Sequence, residues 1–276
     1  MHPDTIRSYS ERGAQAYEDP MNKNFLYGDI TVRFLKQVRF GARDRVVLDL
    51  GCGTGFVFDE LSSEFARRGM RGIGVEPAEG MLQIARDKYA AEERFSFLAG
   101  SFEQIPLPDR SVDRIISTLA LHWVKSLDVA VREMRRVIKD TGSLDVFMIA
   151  RDDGAVFKKA IVNALRKHLT FAQIIGTAGL VQRVTAPELE RAFRPFEGGF
   201  DVKATEFRDV VHGTFDEHMK WWTARSTPVI AEVKDKPQFM LDLRRELEAM
   251  DQGAGIPFDT AYLWLNVTSR AGGTDD

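Results

Sequence analysis

The sequence predicts an α/β protein: a doubly wound, mostly parallel sheet with a late antiparallel strand, plus a helical cap. Three observations predict it. Between positions 43 and 150, short apolar runs alternate with amphipathic segments, the rhythm of strands joined by helical crossovers. The first run, "RVVLDL", breaks into glycines at alternate positions, Gly51, Gly53 and Gly55, before a helical pattern begins. Two long β-rich runs, "GGFDVKATEFRDVVHG" and "FDTAYLWLNVTSR", come late in the chain.

Taken in order, "RVVLDL", "GIGVE", "RFSFLAG", "VDRIIST" and "SLDVFMIA" read as strands. The first and fourth are apolar enough to be buried on both faces, as central parallel strands are. "SLDVAVREMRRVIKD" reads as a helix packed on the sheet, with Leu127, Ala130, Val131, Met134, Val137 and Ile138 on one face. Beyond Ala150 the rhythm changes. "GAVFKKAIVNALRKHL" and "TAPELERAF" read as helices, the second opened by Thr185 and Glu188 at capping-box spacing with Pro187 in its first turn. A largely helical stretch separates the two late strands. The expected division is an N-terminal helical segment (1–42), a ligand-binding core (43–150), and late strands with cap insertions (151–276). The insertions fall at about 151–195 and 214–252.

The composition suits one large domain: 276 residues, 44% apolar and 29% charged. A net charge of -3 argues against a nucleic-acid substrate, whose binding needs a basic face. Cys52, the single cysteine, rules out an intrachain disulfide and fits a reducing compartment. The first twenty residues lack the apolar core of a signal peptide, and no run is long enough to cross a bilayer. The expectation is a cytoplasmic protein with no membrane partner. No CxxC, HExxH or carboxylate cluster suggests a metal.

The glycine turn carries the functional reading. In a doubly wound sheet, ligands sit beyond the strand C-termini at a switch point. Gly51 can take backbone angles closed to other residues, Gly53 lets the backbone approach a ligand, and Gly55 lets the helix start close to the strand. The bare amides and the helix N-terminus then face a polar group. Asp49, just before the turn, suits a ligand bearing an ammonium group better than a pyrophosphate. Glu76 ends the second strand, where a carboxylate can bridge two ribose hydroxyls.

On these residues the chain resembles the class I S-adenosylmethionine (SAM) dependent methyltransferases. "VLDLGCGTG" is similar to the family's first motif and "GVEPAEGML" to its second. "AGSFEQIPLPDRSVDRIIST" resembles its third strand, adenine loop and fourth strand. "LALHWVKSLDVAVREMRRVIKDTGSL" resembles the helix and turn that follow. The branch most resembled includes the malonyl-carrier-protein carboxyl methyltransferase and trans-aconitate methyltransferase. The resemblance implies a Rossmann-like methyltransferase fold with SAM as cofactor. It implies that Asp49 and the backbone of Gly51, Cys52, Gly53 and Gly55 hold the methionine end, and that Glu76 holds the ribose. Pro77, Met81, Ser101 and Phe102 would line the adenine. Ser101 departs from the family's usual Asp, so a weaker or compensated adenine contact is expected. "YSERGAQAYE" resembles the helix that closes over SAM, with Tyr17 nearest the sulfonium.

SAM brings an activated methyl group, so the protein has mainly to align the acceptor. His122, beyond the fourth strand, is the candidate base or orienting group among five histidines. Beside it, Trp123 is a candidate acceptor contact. In "HMKWWTARSTP", Trp222 and Arg225 are three apart on one helix face, a ring and a guanidinium for an anionic acceptor. The expected function is methyl transfer to oxygen or carbon of a small-molecule acceptor, the oxygen being that of a carboxylate in one version. The alternative is a SAM-binding enzyme of the same fold with a non-methyl reaction. A nicotinamide dehydrogenase is disfavoured by the GxGxG spacing. The acceptor and the oligomeric state are not legible.

Overall fold

A computed structural model describes residues 6, 10, 25–178, 183–223 and 227–272. The strands are β1 (Val46–Leu50), β2 (Arg71–Glu76), β3 (Phe95–Ala99), β4 (Val112–Thr118), β5 (Ile138–Ile149), β6 (Phe200–Gly213) and β7 (Ile256–Ser269). They form one sheet in the order β3-β2-β1-β4-β5-β7-β6. Neighbours from β3 to β5 pair parallel, whereas β7 runs antiparallel to both β5 and β6. The order reverses between β1 and β4, which places a crevice at their C-terminal ends.

Helices cover both faces. They are α1 (Tyr27–Leu35), α2 (Phe56–Arg68), α3 (Glu79–Lys88), α4 (Leu127–Val137), α5 (Ala155–Leu165), α6 (Phe171–Ala178), α7 (Ala186–Ala192), α8 (Phe215–Thr223), α9 (Thr227–Ala231) and α10 (Lys236–Glu248). One core cluster joins residues of α1, α2, α5 and α10, among them Phe34, Phe58, Phe157 and Phe239, to Val47, Ile116 and Phe147 on the sheet. The other packs Leu48, Leu50, Ile115 and Leu144 against Met134 of α4 and Leu189 of α7. Alternate residues of β1 thus serve opposite cores, so a buried central strand can be apolar throughout.

Two boundaries differ from the sequence expectation. The predicted helix 126–140 stops at Val137, and β5 starts at Ile138, five residues before the predicted strand. Ile138 pairs with Val112 across a register shift and is fully buried, and this pairing overrides the helical spacing of its side chain. The second difference concerns the cap. The capping box at Thr185 forms, with the Glu188 carboxylate accepting the Thr185 backbone N–H at 2.8 Å. However, α7 lies against β6 and α4 on the sheet's second face, so the segment 151–195 is not all cap. The helices between β6 and β7, namely α8 to α10, meet α5 and α6 on the first face. β6 and β7 pair over their whole length, while β5 reaches only to Tyr262 of β7. The inserted helices therefore spring from a hairpin that overhangs the C-terminal end of β5.

Candidate active site

Asp49 lies in the middle of the sheet, level with Gly74 of β2 and Ile116 of β4. It is fully buried, and neither carboxylate oxygen has a hydrogen-bond partner. Burial, with the nearby Glu76 charge, holds its pKa well above the usual carboxylate range. Such a group is costly to leave alone and calls for a cationic or donor partner.

Past Leu50 the chain turns. The Gly51 and Cys52 amides both donate to the Val75 carbonyl, at 2.8 and 3.2 Å, and bind the turn to β2. The glycines all have positive φ, yet their surroundings differ. A Cβ on Gly51 would lie 2.4 Å from that of Ala120, and one on Gly55 would lie 2.6 Å from the Tyr89 ring. Gly55 thus makes room for Tyr89, whose hydroxyl donates to the Gly55 carbonyl at 3.0 Å, and not for a strand as expected. A Cβ on Gly53 would meet nothing within 4 Å. That open side is where the backbone can be approached.

Glu76 closes the cradle. Its carboxylate accepts from the Gly53 amide at 3.1 Å and the Ala78 amide at 2.9 Å. Burial pushes its pKa up to about 7, with those two amides pulling the other way. Cys52 is buried, its thiol raised by burial and by Asp49 and Glu76, so it is no nucleophile. Pro77 is half-buried beyond β2. Met81 is buried with Ala78, and Ile6 packs on them. The Ser10 carbonyl would lie 2.2 Å from a Cβ on Gly80, so Ser10 rests on the start of α3. The Phe102 ring is buried against Gly51. The Ser101 hydroxyl accepts from the Glu103 amide at 3.2 Å, which leaves it less free to accept from an adenine than the sequence suggested.

On the acceptor side, β4 ends at Thr118. Leu119 takes φ +54 and donates to the Phe147 carbonyl at 2.7 Å. A 3-10 turn, Leu121–Trp123, follows directly from the Ala120 that packs on Gly51. This ties His122 to the cradle. His122 is buried beside Trp123, and its Nδ1 has no hydrogen-bond partner. Burial, then the charges of Arg183 and Lys158, lowers its pKa to about 3. The ring is therefore neutral near pH 7 and too weakly basic to serve well as a general base. Ser117 Oγ, at the end of β4, is likewise buried without a partner.

The cap corrects one expectation. Trp222 is buried in the core against Phe239 and presents no open ring face, while Arg225 and Tyr17 lie outside the described residues. It is Trp221 that meets Tyr27 and Phe258, at 6.0 and 5.5 Å between ring centroids. The remaining described core histidines are structural. His168 pairs with Asp242 at 3.0 Å, and His218 contacts the Ile256 carbonyl at 2.9 Å. Sequence reasoning missed the buried, unpartnered hydroxyl of Ser117 at this edge. Nothing in its local sequence marks it, because only the fold buries it there.

A buried acid, a glycine turn open at Gly53, a second acid ending the next strand and a crevice at the strand reversal together form a polar cradle at the C-terminal edge of the sheet. The comparisons sharpen that. Residues 48–146 match the family model for a methyltransferase domain. The chain is 38% identical over 137 residues to a malonyl-[acyl-carrier protein] O-methyltransferase of Yersinia pestis, covering 50% of this chain and 47% of that one. An uncharacterized methyltransferase of Mycobacterium bovis is 34% identical over 149 residues, 53% of this chain and 54% of that one. The chain thus spans about half the length of the curated relatives it matches. Haemonchus contortus phosphoethanolamine N-methyltransferase 2 shares the fold, with a TM-score of 0.59 at 16% identity over 95% of this chain and 60% of that one.

Proposed function

We propose that the chain is a SAM-dependent methyltransferase acting on an oxygen of a small-molecule acceptor. The observation that carries this reading is Asp49, buried and unpartnered just before a glycine turn whose Gly53 side is open. Two buried acids would repel a pyrophosphate, whereas an amino-acid ammonium group offers Asp49 the cation it lacks. Glu76 spends one lone pair of each oxygen on a backbone amide and keeps others for ribose hydroxyls. Met81, Pro77 and Phe102 supply apolar surface for the adenine. SAM, when bound, supplies a methyl group already activated for displacement.

The chain's own task is then to exclude water and to orient the acceptor. His122, neutral and buried, suits hydrogen bonding to the acceptor better than proton removal. An acceptor already ionised, such as a carboxylate, needs no base. The name of the Yersinia relative, which specifies O-methylation, supports an oxygen acceptor here. Among the described residues no helix is long and apolar enough to cross a membrane, and we read the protein as cytoplasmic from its single cysteine.

The test is SAM labelled in its methyl group, incubated with the protein and an extract of the source cells. Label in a small molecule supports the reading and gives the acceptor's mass. Label in protein or nucleic acid overturns the acceptor class, and SAM binding without any transfer favours the non-methyl alternative. In parallel, Glu76→Gln should weaken SAM binding at least tenfold by calorimetry with the fold retained. Unchanged affinity would misplace the ribose.

A further inference from the structure

β6 is 14 residues long, pairs with β7 on one side only and forms an edge of the sheet. A long bare edge is a template for another strand. In an antiparallel pair, successive residues point their backbone groups alternately toward and away from the partner. Three contacts fix which is which in β6. The Ala204 amide donates to the Glu190 carboxylate of α7 at 2.8 Å, and the Val210 amide to the Asp209 carboxylate at 2.8 Å, so neither faces β7. The Asp209 carbonyl accepts the Thr260 hydroxyl of β7 at 3.0 Å, so it points the other way. The pairing keeps one register from Phe200 to Gly213. Glu206 and Arg208 therefore also turn their N–H and C=O groups outward.

The two carboxylates blunt the edge at Ala204 and Val210 and leave a window between them. In that window the Glu206 and Arg208 amides have no protein partner among the described residues. The side chains there complement their own mirror arrangement. Glu206 and Arg208 share one face of the strand and form an ion pair at 2.6 Å. On the opposite face Phe207, 37% exposed, stacks on Tyr262 with 5.5 Å between ring centroids.

We propose that two copies of this chain pair antiparallel through their β6 edges, about a two-fold axis at Phe207. Each Glu206 then lies opposite Arg208 of the second copy in a hydrogen-bonded pair, and the backbone groups of the window are all used. The opposite charges face each other twice, and the two Phe207 rings meet in the closer, non-hydrogen-bonded pair. Val210, 50% exposed, comes to lie opposite Ala204. Other registers fail. An axis at Glu206 or at Arg208 sets like charges face to face. One at Thr205 or at Asp209 needs the Ala204 or Val210 amide, and both are already bound. A ladder this short makes a weak interface, so the dimer belongs to high protein concentration. The crevice between β1 and β4 lies well inside the sheet, away from this edge, and stays open.

The experiment is sedimentation velocity on the whole protein, from micromolar to millimolar concentration, where a dimer should grow in. Glu206→Arg makes the window doubly positive and Arg208→Glu makes it doubly negative. Each should weaken self-association at least tenfold, with melting temperatures recorded to show that both variants fold. Mixed in equal amounts, the two variants should associate again. The ion pair within each chain is broken in both, so recovery on mixing reports pairing between copies and nothing else. A monomer at every concentration, single variants that associate as the unaltered chain does, or a mixture that stays monomeric overturns the pairing.

Discussion

At the residue scale, the two buried acids make ligand binding pH-dependent. With its pKa at about 7, Glu76 carries a proton in much of the protein below neutral pH, and a protonated carboxyl accepts ribose hydroxyls poorly. SAM affinity should rise with pH up to about 7 and then level off. It should be about 30-fold weaker at about pH 5.5 than at about pH 8, measured by calorimetry. The stability of the ligand-free protein runs the other way. Between the unfolded value near 4.5 and about 7, the folded state keeps a proton that the unfolded chain releases. Stability from Glu76 is therefore greatest below that window and falls as pH rises through it, by up to about 3 kcal/mol. The glycines allow a sharper separation. Gly51→Ala drives a methyl group into Ala120 at a positive φ and should cost about 3 kcal/mol or more in denaturant melts. Gly53→Ala meets no neighbour and should cost only about 1–2 kcal/mol of backbone strain, while abolishing measurable SAM binding by closing the open side. Equal effects of the two would mean that the ligand does not approach Gly53.

At the element scale, the sequence was legible where periodicity and burial agree. β1 and β4 read as buried strands because their residues pack on both faces, and α7 was marked by its own cap. The start of β5 was not legible, because Ile138 sits at helical spacing and only its pairing with Val112 makes it strand. The cradle of two acids and a glycine turn was readable for a local reason. Asp49, the glycines and Glu76 lie at strand ends, where short motifs fix their placement. The surroundings of Trp222 were not, since its buried ring follows from α8 packing on α10. The inserted helices give an element-scale prediction. Trp222→Ala should cost about 3–5 kcal/mol by emptying the space beside Phe239, yet leave SAM affinity within twofold in the folded fraction.

At the scale of the whole molecule, the two edges of the sheet are built to opposite rules. At the C-terminal edge of the parallel strands, Asp49, Ser117 and His122 keep buried polar atoms without partners. Toward the other edge, Arg114 donates to Asp44 at 2.9 Å, to the Arg39 carbonyl at 2.6 Å and to Asp145. Asp145 in turn accepts from Trp264 and Asn266 at 3.2 and 2.9 Å. Arg114→Met should cost about 3–5 kcal/mol, because it strands Asp145 in the core, and thermal melts would register it. Ligand affinity should not follow. The lone cysteine gives this asymmetry an observable. Cys52 is buried under the glycine turn, with Sγ 2.7 Å from where a Gly74 Cβ would stand. A thiol reagent can reach it only when the turn lifts from β2, so the rate of modification is a clock for that opening. No other sulfhydryl competes for the reagent. The unaltered chain thus carries its own chemical probe of how often the ligand's seat comes apart, and saturating SAM should slow that clock in proportion to occupancy.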